Sequence, residues 1–248
     1  MKENWKTAAI GGAAGACVAL IGAFAAATAG WPPFAAANAN AIHGYLVAHP
    51  EVLVEMSNKL QTQQDEKDDS SRQAAVNKIG LKAFFDPKVA FVTGPSDAKI
   101  TVVEFFDYNC PYCRASIPAV KKFFVSHKDA RFAFIEFPIK GPRSTIAARA
   151  AMAARNQPDK YIAFHFALMS QDGPDDATTV FDVARQNGLD IGKLKNDMKS
   201  PEIDRALAEA KTLASAANID GTPAFIVNGR IREGAVSDDV LAQMTKAS

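Results

Sequence analysis

The chain has 248 residues, 48% of them hydrophobic, with 28 basic and 27 acidic side chains and a formal net charge of +1. That is enough apolar chain for one good-sized folded domain with appendages. The balanced charge excludes a basic field for nucleic acid and an acidic tail, so no nucleic-acid partner is expected.

Residues 1–37 read as a signal peptide or signal anchor. Lys2 and Lys6 precede an uncharged run over 7–30 that is mostly Ala and Gly. The run exceeds the roughly 7–15 residues of a signal core and approaches the roughly 20 of a spanning helix. Ala27 with Ala29, and Ala35 with Ala37, offer A-x-A cleavage sites. Cleaved or retained, the segment places the rest of the chain outside the cytoplasm, which implies a periplasmic location. Cys17 falls inside it and reads as a small apolar residue.

Residues 38–80 read as a helical arm. Ile42, Leu46, Leu53, Met56 and Leu60 recur at helical spacing. Pro50 interrupts the stripe, so one short helix is expected to end near Ala48 and a second to start at Pro50. The stretch "QTQQDEKDDSSRQ" is too polar for a core and reads as an exposed helix or linker. The apolar stripe must be covered, either by the main domain or by a homo-oligomer joined through a short coiled-coil-like seam.

Residues 81–248 change pattern. "KVAFVTG" reads as a short strand, and "KITVVEFFDY" and "RFAFIEFP" as strands buried on both faces. Between the last two, Ile117, Val120, Phe123 and Phe124 mark a helix from Pro111 to about His127, which makes a βαβ unit. A helical block follows over about 141–217. "TPAFIVNGRIREGA" is a hairpin around Asn228-Gly229, and a last helix spans Ser237–Lys246. The fold class is therefore α/β, with a helical block inserted between the two halves of a mixed sheet.

The stretch "FFDYNCPYCRASIP" holds Cys110 and Cys113. They read as a redox centre, a structural disulfide or half a metal site. A staple over so short a loop adds little stability. A closed zinc site needs four ligands, and His43, His49, His127 and His165 are scattered, although two thiolates suit Cu(I). The redox reading has a physical basis. Cys110 opens a helix, where unpaired backbone N–H groups favour thiolate over thiol. Pro111 suits the first helical position. Cys113, three residues on, shares that face and is placed to attack a mixed disulfide at Cys110. The expected arrangement is an exposed attacking sulfur with a resolving sulfur behind it. Arg114 and Lys121 read as solvated charges, and Pro118 should kink the helix.

"FFDYNCPYCRASIP" together with "GTPAFIVNG" resembles the DsbA/DsbG group of exported thiol-disulfide oxidoreductases in the thioredoxin superfamily, from about Leu81 to the C-terminus. The resemblance implies a thioredoxin-like fold with a helical insertion. It implies that Cys110 is the nucleophile, Cys113 the resolving thiol, and Thr222 with a cis Pro223 the substrate-binding loop. Pro111 and Tyr112 would tune the redox poise. Glu104 matches the family's buried acid, a proton relay for Cys113; its plainer reading is a pleat-edge surface residue. "AIHGYLVAHPEVLVEM" resembles the arm of the suppressor-of-copper-sensitivity C (ScsC-like) subgroup, in which the arm can build an oligomer. No cofactor beyond a redox-active Cys110–Cys113 disulfide and no resident metal are implied. The implied partners are unfolded or misfolded exported proteins and a membrane redox partner, with oxidase and isomerase both open. The alternative is a copper-binding or partner-holding periplasmic protein that uses the two thiolates without turnover.

Overall fold

A computed structural model describes residues 32–171 and 176–246. The leader reading falls mostly outside them. Among the described residues no helix is long and apolar enough to cross a membrane. The chain divides into two compact units, one ending at Asp65 and the other starting at Glu66.

The first unit holds α1, Pro32–Ala48, and the opening of α2, Glu51–Ile79. α1 starts six residues before the expected arm boundary at Asn38. Pro50 lacks an N–H and disfavours helix at His49, which separates the two helices as expected. The first unit leaves Ile42, Tyr45, Val47, Leu53, Val54, Met56 and Leu60 each more than half exposed.

The second unit contains a short 3-10 turn at Leu81–Phe85, which the sequence pattern did not suggest. It then runs β1 Ala90–Thr93, β2 Thr101–Phe106, α3 Pro111–Ser126 and β3 Arg131–Glu136. The inserted block is α4 Pro142–Ala154, α5 Pro158–Met169, α6 Ala177–Gln186, α7 Ile191–Asp197 and α8 Pro201–Ala216. β4 Ala224–Val227, β5 Arg230–Glu233 and α9 Asp238–Lys246 complete it. The inserted block therefore spans 142–216. Side chains of Asp176, Asp190 and Ser200 accept backbone N–H groups at the starts of α6, α7 and α8, satisfying donors that helix ends leave unpaired.

The five strands lie in the order β1-β3-β2-β4-β5. β2 and β3 are parallel, joined through α3, and the remaining pairs are antiparallel. β2 is central, and Val102 to Phe106 are all buried. Its side chains alternate between faces. Val103 and Phe105 pack with Phe84, Ile135 and Ala214. Val102 and Phe106 pack with Phe134, α3 and the inserted helices. Glu104 falls on that second face by the same alternation. At the hairpin, Asn228 and Gly229 have φ of 50° and 82°, the left-handed pair that a two-residue turn requires.

The expected boundary at residue 80 sits too late. Val76 is buried in the sheet core. Gln73 donates to the Gly229 carbonyl at 2.7 Å and accepts from the Ile231 N–H at 3.1 Å. Arg72 donates to the Asn218 carbonyl and pairs with Glu233 at 2.9 Å. The last turns of α2 thus cover the free backbone edge of β5. Polar side chains do this, so the segment looked like a linker.

Candidate functional site

β2 ends at Phe106, and the Asp107–Asn109 turn delivers Cys110 to the start of α3. Cys110 is extended, with φ −84° and ψ 119°, and Pro111 follows at the first helical position. The Cys110 N–H donates to the Asp107 carbonyl at 3.0 Å, and the Arg114 N–H donates to the Cys110 carbonyl at 3.1 Å. The Cys110 sulfur lies 3.1 Å from the Thr222 carbonyl oxygen. The Thr222–Pro223 peptide bond is cis. Residues 112 positions apart therefore meet at one sulfur.

Both cysteines are free and buried. The expected exposed attacking sulfur is not found: Cys110 has 0% residual exposure. Tyr112, between the cysteines, is instead 66% exposed, and Pro111 is exposed beside it. Thr222 is buried with Pro223.

The two thiols differ sharply. The Cys110 thiol is lowered to about 5, chiefly by a hydrogen bond from Cys113, with help from Thr222 and the Tyr112 and Cys113 backbone, against the opposing effect of burial. The Cys113 thiol is pushed far up by burial and by its bond to Cys110, and Glu104 adds to this. Such a pair holds one thiolate on Cys110 and one proton on Cys113.

Glu104 is buried, not at a pleat edge, and neither carboxylate oxygen has a hydrogen-bond partner. Burial pushes its carboxyl up to about 8. It thus stays largely protonated at neutral pH.

Several neighbours were missed or misread. Asp107 is buried and accepts the N–H groups of Asn109, Ile139 and Lys140 at 2.7–2.8 Å. It fastens the loop before Cys110 to the loop after β3. Its bond to a backbone two residues on is an Asx turn, a signal visible in "DYNC". Arg114 is half-buried, donating to the Tyr108 carbonyl at 2.8 Å and to the Gln171 carbonyl. It is a brace for the Cys110 loop, while Lys121 is exposed as expected. α3 runs through Pro118, which faces out. Of the histidines, only His165 is buried. No group of three or more His, Cys, Asp or Glu side chains among the described residues is placed to hold a metal. A cavity of about 710 Å³ lined by Phe85, Thr101 and Arg131 lies at the start of β2 and β3, the opposite end from Cys110.

A Cys-Pro-Tyr-Cys helix start packed against a cis-proline loop, on this sheet order, defines a thioredoxin-like protein. The chain matches the thioredoxin family model over residues 87–247 and the model of the copper resistance protein ScsC N-terminal domain over 40–67. It is 30% identical to disulfide bond formation protein D of Bacillus subtilis over 157 residues, 56% of this chain and 68% of that protein. A thioredoxin-like oxidoreductase from Silicibacter pomeroyi superposes with a TM-score of 0.63 at 40% identity, covering 68% of this chain and 96% of that one. A periplasmic thioredoxin-like protein from Salmonella enterica gives 0.61 at 28% identity, with 66% and 92% covered. The chain also aligns with the Na(+)/H(+) antiporter NhaA 1 of Salinispora arenicola, 30% identical over 166 residues, 66% of this chain, but spans only 25% of that protein. The chain belongs to the thioredoxin superfamily, within its DsbA/ScsC-like group of thiol-disulfide oxidoreductases.

Proposed function

We propose that this chain is an exported, periplasmic oxidoreductase that exchanges disulfides with unfolded or misfolded proteins through a mixed disulfide at Cys110. The carrying observation is the split between a stabilised Cys110 thiolate and a proton-bearing Cys113, placed beside Thr222-Pro223. In the reducing direction the Cys110 thiolate attacks a substrate disulfide and one substrate thiolate leaves. Cys113 then gives up its proton and attacks the Cys110 sulfur. The Cys110–Cys113 bond forms, the mixed disulfide breaks, and the second substrate sulfur leaves with two electrons transferred in all. Substrate oxidation is the reverse. Glu104 returns a proton to Cys113 when the disulfide is reduced, and its ionised form takes that proton in the opposite direction. Because Cys110 is covered at rest, exchange includes an opening step at its loop. Thr222 and Pro223 hold substrate backbone there, and Pro111 and Tyr112 tune the poise. A membrane redox partner resets the pair, which needs no other cofactor.

Insulin reduction and refolding of scrambled ribonuclease, with Cys110→Ser as control, test this reading. Equal activity in both proteins would sink it. The copper-resistance name of the arm's family model favours one second reading, Cu(I) held by both thiolates without turnover. Metal analysis of the reduced protein beside the same assay separates the two. The apolar stripe of the first unit supports self-association through the arm.

A further inference from the structure

β3 carries a second acid on the Glu104 face. Glu104 is opposite Phe134 and Phe106 is opposite Glu136 in the parallel β2/β3 register. Phe134 and Glu136 are two residues apart, so the carboxyls are diagonal neighbours on one face of the sheet. Both residues are only 1% exposed. Their surroundings differ. Both Glu104 oxygens are orphaned, against one of the two Glu136 oxygens. Glu136 receives the Tyr108 hydroxyl at 3.4 Å, and that hydroxyl lies 3.0 Å from His165 Nδ1 on α5. The Arg155 guanidinium at the end of α4 donates to the Val89 carbonyl at 3.1 Å through both terminal nitrogens and attracts Glu136 through space. His165 stays neutral, since burial holds its imidazole down near 3. Asp107 and Glu104 are the negative charges acting on Glu136, and both push its carboxyl up.

We propose that Glu136 is a positioning residue for the proton on Glu104: it takes the negative charge of the acid pair, so that the proton stays on the carboxyl that serves Cys113. Two adjacent buried carboxylates cannot both ionise cheaply, so the pair keeps one proton over a wide pH range. A single charge sits better where a hydroxyl donates to it and a guanidinium attracts it through space than on two unpartnered oxygens. Burial raises both carboxyls, and the Glu104 charge adds to the rise of Glu136. During reduction of the Cys110–Cys113 disulfide, a thiolate attacks the Cys110 sulfur, the S–S bond breaks, and Cys113 leaves with the electron pair. Glu104 gives that sulfur its proton, and bulk solvent later restores it.

The inference rests on the exchange reading above, but its main test does not need turnover. Carbon-13 carboxyl titration of the reduced protein follows Glu104 directly, in wild type and in Glu136→Gln. The expected result is a Glu104 midpoint at least about one pH unit lower in the variant, because its charged neighbour is gone. Superposable Glu104 curves would overturn the proposal. Reduction of the disulfide by excess dithiothreitol is the second readout. The ratio of variant to wild-type rate should fall about fivefold between pH 7 and 9; a flat ratio counts against it. If Glu136→Gln does not fold, Tyr108→Phe removes the hydroxyl and keeps both acids, with the same direction expected and an unshifted curve overturning. Wild type no more active than Cys110→Ser would instead remove the exchange reading, and the carboxyl titration would still decide the pair.

Discussion

At Cys110 the thiolate is favoured chiefly by one neighbour, the Cys113 thiol that donates to it. Thiolate absorbance of the reduced protein near 240 nm should therefore rise with a midpoint near 5. Cys113→Ala should move that midpoint up by more than about one pH unit, and Cys113→Ser, which keeps a donor, should recover part of it. An unmoved midpoint in Cys113→Ala would assign the effect to the helix start instead. Glu104 makes the opposite kind of prediction. Its folded value near 8 lies above its ordinary value of 4.5. Its neutral form thus favours folding below about pH 4.5, and this advantage is lost as pH rises through 8. Thermal unfolding of Glu104→Gln against wild type should show the variant gaining, on the order of 2–4 kcal/mol, between pH 5 and 9. The two sulfurs stood out by their spacing at a helix start, and Glu104 by its resemblance to the family's buried acid. The burial of Cys110 was not readable in the sequence, because its cover comes from Thr222, on another strand's approach. Glu136 was hidden for a similar reason: in "RFAFIEFP" it is one polar residue among apolar ones, and only the β2/β3 register sets it beside Glu104.

The strands, α3 and the hairpin follow from local signals that agree with their tertiary setting: β-branched and aromatic runs, a proline at the first helical position, an Asn-Gly turn. The 3-10 turn at Leu81–Phe85 and the true end of the arm lacked such signals. Phe84 and Phe85 are buried there by packing on the sheet, and Val76 is the only buried side chain of α2, too few to show a periodic stripe. Gly94 illustrates how an element end can be fixed by one close approach. It closes β1 with φ 92°, and a Cβ there would fall 2.1 Å from the Ala130 carbonyl oxygen. That oxygen belongs to backbone entering β3, so it has little room to yield. Gly94→Ala should lower stability by about 2 kcal/mol or more, measured by denaturant unfolding. A loss under about 0.5 kcal/mol, the range of an ordinary surface change, would show that the contact between Gly94 and the Ala130 backbone relaxes freely.

For the whole molecule, the two units pose different solubility problems. The unit from Glu66 buries its apolar side chains in two clusters that sandwich one sheet. The unit ending at Asp65 leaves seven large apolar side chains mostly exposed, from Ile42 to Leu60. Exposed apolar surface concentrated on one short segment marks an interaction site, and their recurrence on two helices suits a helical seam between copies. Light scattering should then find residues 38–248 oligomeric and residues 66–248 monomeric. Leu53→Glu with Leu60→Glu should have the effect of the deletion without shortening the chain. A monomer for 38–248 would remove the proposal. The cut must fall at Asp65 and not at Gly80. A chain starting at Leu81 loses Val76 from the core and uncovers the β5 backbone held by Gln73. It should melt several degrees below the 66–248 chain. If both melt together, the tail of α2 belongs to the arm alone, and the edge of β5 is protected by some other means.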